Sequence, residues 1–216
     1  MMVLSVASAS GVYASIDSYP WSEDLGSVFG TDEDFYVFGE ISIPSGGYSP
    51  EDLKIYVYDE EGYKSKSYTP DFFPKDGNYN LLSDGYVLRK IKLSDPGEYL
   101  IKLTLDGTTL ARDYVEVSDV SQRLVELELR DYSVSGGKIT VEMRLRNNDN
   151  EDQRATIYLM IGDSQEKFTA EVSAETSRYV ERTFNVPTDA VNLLIVGFAE
   201  VNSGETPEDF SSADYI

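Results

Sequence analysis

The chain has 216 residues, 41% of them hydrophobic, with no cysteine, no histidine and a formal charge of −21 from 39 acidic and 18 basic residues. Without Cys or His there are no thiol nucleophiles, no Ser–His–Asp catalysis, no disulfides and none of the usual zinc ligands. The acidic balance sets the surface against nucleic acid and anionic lipid, and no apolar run reaches the ~18 residues that cross a bilayer.

The opening segment, MMVLSVASASG, is small, apolar and uncharged. As a secretion signal it lacks the basic n-region and a full-length apolar stretch, although Ala7-Ser8-Ala9 fits the cleavage pattern. Read otherwise, Val3, Leu4, Val6, Ala7 and Ala9 form an assembly strand that adds to a neighbouring copy's sheet. A frayed or self-docked tail is the third reading. Both a signal remnant and an assembly strand point toward export.

From Val12 the pattern is that of strands. Asp34 to Ile43 stops at Pro44, and Leu53 to Tyr58 alternates Ile55 and Val57 against Lys54 and Tyr56 before the turn Asp59-Glu60-Glu61-Gly62. Thr69 to Asp84 reads as a loop, and Tyr86 to Leu93 as a strand. Glu98 to Leu105 and Leu110 to Val117 flank Asp106-Gly107, a two-residue turn of the I′ type. Ser118 to Gln122 is a polar linker. Then Val125, Leu127 and Leu129 alternate with charged residues up to Arg130, Ser135-Gly136-Gly137 turns the chain, and Ile139, Val141, Met143 and Leu145 alternate cleanly with Thr140, Glu142 and Arg144. Ala155–Ile161, Lys167–Val172, Arg178–Val186 and Val191–Val201 complete the set. Ser49-Pro50-Glu51-Asp52 and Thr206-Pro207-Glu208-Asp209 each read as a capped single helical turn. Strands every 8–12 residues predict an all-β protein of two tandem immunoglobulin-like antiparallel β-sandwich domains, residues 12–118 and 123–216, preceded by the apolar segment 1–11.

The stretch PGEYLIKLTLDGTTLARDYVEV (96–117) resembles the last hairpin of secreted immunoglobulin-like domains, in which a Pro-Gly corner leads into a strand with a buried Tyr, here Tyr99. The second half, VELELRDYSVSGGKITVEMRLRNNDNEDQRATIYLMIGD, resembles the CARDB-type cell-adhesion-related modules of bacteria and archaea, with a strand ending in Arg146-Asn147 before a polar hairpin. The resemblance implies an extracellular or cell-surface role, structural or binding.

The chain offers three kinds of candidate site. Asn147, Asp149, Glu151 and Asp152 crowd oxygens into one turn, the ligand type of Ca²⁺, but the glycine of a calcium loop is missing and Asn and Asp are also ordinary hairpin residues. Trp21, Phe72 and Phe73 are candidates for stacking on a sugar, or else core and loop anchors. No pair of carboxylates stands out as a catalytic couple. The expected function is therefore a non-enzymatic, exported subunit of a surface filament or layer that contacts other copies of itself by β-strand addition. The alternative is an adhesion or accessory module that recognises glycan or protein through its loops, with Ca²⁺ as a possible cofactor.

Overall fold

In β4 (Leu53–Tyr58), Leu53, Ile55 and Val57 turn into the protein while Lys54, Tyr56 and Tyr58 are only half covered. Period-two alternation of this kind buries one face of a strand, and its repetition builds both domains. The computed structural model describes residues 12–19, 27–31, 33–43, 48–74, 77–120, 122–162, 164–186 and 193–215. The proposed assembly strand, Val3 to Ala9, and Trp21 lie outside the described residues.

The first domain comprises β1 (Tyr13–Tyr19), β2 (Val28–Gly30), β3 (Asp34–Ile43), β4, β5 (Lys64–Tyr68), β6 (Gly77–Asn80), β7 (Arg89–Lys92), β8 (Gly97–Leu105) and β9 (Thr108–Ser118). One sheet has the order β1-β3-β6, with β7 also on β3, and the other β2-β9-β8-β4-β5. Between them lie Phe35, Val37, Ile41, Ile55, Ile101 and Leu103, all fully buried. Each such side chain contributes roughly 1.5–3 kcal/mol of apolar burial. The second domain comprises β10 (Val125–Ser135), β11 (Lys138–Asn147), β12 (Gln153–Ile161), β13 (Ser164–Val172), β14 (Ser177–Asn185), β15 (Ile195–Glu200) and β16 (Phe210–Tyr215). Its sheets, β10-β11-β14 and β13-β12-β15-β16, enclose a separate core around Ile139, Val141, Leu145, Ile157 and Leu159. The fold is all-β, two immunoglobulin-like sandwiches in tandem.

Two expectations need correction. Pairing is not antiparallel throughout, because β2 runs parallel to β9, Val28 opposite Glu116 and Gly30 opposite Ser118. The chain leaves the first sheet after β1 and rejoins the second beside its last strand, in the same direction. The stretch 69–84 is not all loop either: β6 pairs with β3, and Leu81–Asp84 is one helical turn.

Local chemistry fixes several corners. Asp106 and Gly107 both have positive φ, 46° and 74°, as the I′ turn requires. Gly39 has φ 145°, and a Cβ there would run into the Ser15 carbonyl of the paired strand, so only glycine fits. Tyr99 is buried, and its hydroxyl donates to the Asp95 carbonyl at 2.9 Å, closing the corner that leads into β8. Burial, with Asp95, Asp59 and Glu60 nearby, holds its phenol above the usual tyrosine pKa. Tyr99→Phe removes that bond and leaves the ring, so we expect a loss of about 1 kcal/mol in urea unfolding. A change below about 0.3 kcal/mol would show that the corner does not depend on the bond.

The two sandwiches are joined by an apolar contact. Phe35, Tyr36, Val37 and Phe38 are all buried, on both faces of β3. Phe35 and Val37 face their own core, whereas Tyr36 and Phe38 cluster with Leu194 and Val196 of the second domain, with Val87 and Met160 at the margin. Arg123, the first residue after the linker, is also buried. Its Nε donates to Glu33 Oε1 at 2.8 Å, and its other nitrogens reach Glu33 Oε2 and the Pro207 carbonyl. One guanidinium thus ties the first domain, the linker and the last loop together.

Candidate functional site

β10 is an edge strand whose two halves differ. Val125, Leu127 and Leu129 are buried, and the first half is flanked by β16, with Leu127 N donating to Ser211 Oγ at 3.2 Å. A register shift between Leu129 and Asp131 then inserts one residue, a bulge that re-aims the rest of the strand. Beyond it Tyr132 pairs with Val141 and Val134 with Ile139, so both lie on the core-facing side. Yet Tyr132 is 40% and Val134 54% exposed, whereas their partners are fully buried. Among the described residues no strand lies on the other side of 131–135. Tyr132 N donates to the Asp131 carboxylate at 2.8 Å, a partner within its own strand. The site is an open strand edge with an uncovered apolar row.

A second feature lies on the first domain. On the outward face of its β1-β3-β6 sheet, Tyr13, Ser42 and Asn78 form one cross-strand row and Ser15, Glu40 and Asn80 the next. Tyr13, Glu40, Ser42, Asn78 and Asn80, with Tyr79 and Asp84, border an open groove of about 600 Å³. Phenol, hydroxyl, amide and carboxylate groups side by side can exchange several hydrogen bonds with a polyhydroxylated ligand. Close by, Asp17 is held above the usual carboxylate range by burial and by Glu40.

The other residues singled out in the sequence serve the fold around them. Asn147 is buried, its amide donates to the Glu151 and Val172 carbonyls, and its oxygen accepts from Asp149 N. Asp149 accepts from Asn150 N and from the Gln153 amide, and Asp152 from Ala174 N. Glu151 is exposed. Among the described residues no group of three or more acidic side chains is placed to hold a metal ion. Phe72 stacks on Tyr86 at 4.0 Å and meets Tyr79 edge-on at 5.2 Å, and with Phe73 it packs against the first core, as a loop anchor does. Neither β10's open edge nor the groove was marked by sequence reading. Tyr132 and Val134 are out of phase with Val125, Leu127 and Leu129, so alternation carried past Arg130 would put Asp131 and Ser133 on the core side; only the bulge restores Tyr132 and Val134 to it.

No protein-family model matches the chain, and no curated protein matches it. Among solved structures, a DUF3823 family protein from Bacteroides ovatus is 14% identical, with 87% of this chain and 96% of that one covered, at a TM-score of 0.31. A Salmonella alpha-2-macroglobulin reacted with methylamine is 10% identical over 98% of this chain and 15% of that one, at 0.35. A beta-glucosidase from Kluyveromyces marxianus in complex with glucose is 14% identical over 46% of this chain, at 0.27, and the chain spans only 14% of its length. Similarity at this level assigns no activity. Among the described residues no helix is long and apolar enough to cross a membrane.

Proposed function

We propose that the protein is a non-enzymatic, exported structural subunit of a cell-surface filament or layer, joined to other copies through its N-terminal apolar segment. The observation that carries this reading is the joint between the sandwiches. Tyr36 and Phe38 pack against Leu194 and Val196, and Arg123 bridges Glu33 and Pro207, contacts that favour a fixed angle between the sandwiches. Fixed orientation suits a subunit that repeats along an assembly, since a loose joint would spend ordering entropy at every contact. The formal net charge of −21 keeps unassembled copies apart. Deleting residues 1–10 is expected to abolish filaments in electron micrographs while the strand signal in circular dichroism persists. Truncated protein that polymerises like the intact chain would refute the role of the segment.

The groove on the first sheet favours a second reading, an adhesion or accessory module that binds glycan. It gains if the intact chain stays monomeric at high concentration while an oligosaccharide, with or without Ca²⁺, raises its melting temperature. Loss of that rise in Asn78→Ala and Asn80→Ala variants would place the ligand in the groove.

A further inference from the structure

We infer that β10 beyond its bulge, residues 131–135, is the acceptor edge onto which a second copy of this chain lays residues 3–9 as an added strand. This rests on the subunit reading above and names the surface that it requires.

The edges of the two sandwiches differ in how they are guarded. Exposed edge strands are ordinarily protected by charge, shortness or cover. Among the described residues β5 carries Lys64 and Lys66, β13 carries Glu166, Lys167 and Glu171, and β14 carries Arg178, Glu181 and Arg182. β6 and β7 have four residues each, β1 is flanked by β9, and β16 by the first half of β10. Tyr132-Ser133-Val134-Ser135 has neither charge nor cover, and its core-facing side chains are the ones left open. Only Asp131 tends this edge, through its bond to Tyr132 N.

The donor fits in length, pattern and charge. At about 3.3 Å per residue, residues 3–9 extend over roughly 23 Å against roughly 17 Å for 131–135, enough to pair along the whole edge. Leu4 and Val6 recur at the spacing of Tyr132 and Val134, so one face of the donor can cover both. It carries no charge, so docking it adds no like charge to an edge on an acidic protein. Because the donor precedes the first domain and the acceptor belongs to the second, the contact is head-to-tail and open-ended, the geometry of a fibre. Repulsion between copies is screened by salt, so assembly should accelerate from about 20 to about 200 mM NaCl.

The native chain has no cysteine, so introduced pairs can be read cleanly. Ser133→Cys protein is mixed with a series carrying one Cys at each position from Val3 to Ala9, oxidised and run on non-reducing gels; Ser177→Cys on β14 serves as the control edge. The expected result is a dimer band with Ser133→Cys for donor positions of one parity and none with Ser177→Cys. In parallel, Val134→Lys, a change at an exposed position, should slow filament growth at least tenfold with an unchanged melting temperature. Absence of the dimer, equal linking to Ser177→Cys, or linking only within one chain when both cysteines are placed in it would overturn the assignment. If deletion of residues 1–10 abolishes filaments but Val134→Lys does not slow them, the acceptor lies elsewhere and the subunit reading stands. An intact chain that never assembles removes both.

Discussion

Asp113→Asn is expected to raise the melting temperature at pH 7 by about 8 °C and to leave it nearly unchanged below pH 4. Asp113 lies on β9 opposite the buried Ile101, on the core side of the strand, near Ser18 of β1. Its Oδ1 accepts from Tyr114 N at 2.9 Å, while Oδ2 is buried on the side of Ser18. Burial pushes the carboxyl up to about 6, opposed by Ser18 and the Tyr114 amide and assisted by Asp17. The folded pKa therefore stands above the unfolded value of 3.8, and the folded protein holds this proton more tightly than the unfolded chain. Below the unfolded pKa both states are protonated and the group costs nothing. As pH rises from 4 to 6 the unfolded chain ionises first and stability falls. Above 6 the loss is complete, of order 3 kcal/mol. Asn keeps the Oδ1 acceptor and never ionises. Thermal unfolding of both proteins from pH 3.5 to 8 isolates the group, since other carboxylates cancel in the difference. A difference independent of pH, or a less stable variant at pH 7, would show that the buried charge is not the cause.

What the sequence reveals depends on how much of each element's placement is local. β11 is legible because Ile139, Val141, Met143 and Leu145 alternate with polar residues, and the turn at Asp106-Gly107 because its backbone demands those residues. β5 (Lys-Ser-Lys-Ser-Tyr) and β6 (Gly-Asn-Tyr-Asn) are strands only because β4 and β3 offer them open edges, so tertiary pairing overrides weak propensity. β2 and β16 are short or polar for the same reason. The joint left a trace that alternation alone does not use: the unbroken apolar run Phe35–Phe38 marks a strand covered on both faces, as does Leu194 to Phe198 in the other domain. The second face belongs to the other sandwich, and no local pattern says so. The Asn-rich loop shows the opposite limit, because side-chain oxygens that fit an ion in composition are directed to turn amides by geometry. At the candidate assembly edge, the low charge of Tyr132–Ser135 is written in the sequence, while the bulge that leaves it uncovered is a property of the folded pair.

Arg123 shows most clearly how one residue without a sequence signal can govern the whole molecule. It follows a polar stretch, where an arginine is ordinarily solvated, yet its side chain is only 5% exposed. Glu33 holds it through both carboxylate oxygens and is itself oriented by Gly30 N at 2.8 Å. The third contact, to the Pro207 carbonyl, belongs to the second domain, and neighbouring backbone bonds, Leu124 N to Glu208 O and Asn148 N to Leu124 O, both 2.9 Å, secure the linker there. Replacing Arg123 by Ala leaves Glu33 partly buried without its cation and the Pro207 carbonyl without its donor. A loss of about 3 kcal/mol, or roughly 8 °C in melting temperature, is expected. Arg123→Lys should recover only part of it, because a single ammonium cannot span a carboxylate and a carbonyl as the planar guanidinium does. The loss should resist about 0.5 M salt, as a surface ion pair would not. Since the Tyr36–Val196 cluster remains, the domains should stay docked but unfold less cooperatively, and calorimetry should broaden or split the transition. An effect within about 0.5 kcal/mol, the range of ordinary surface changes, would mean that the apolar cluster alone fixes the joint. Filament growth by Arg123→Ala then tests the link to function: a subunit whose stiffness matters should assemble into shorter or more curved filaments, whereas a glycan-binding module should bind as before.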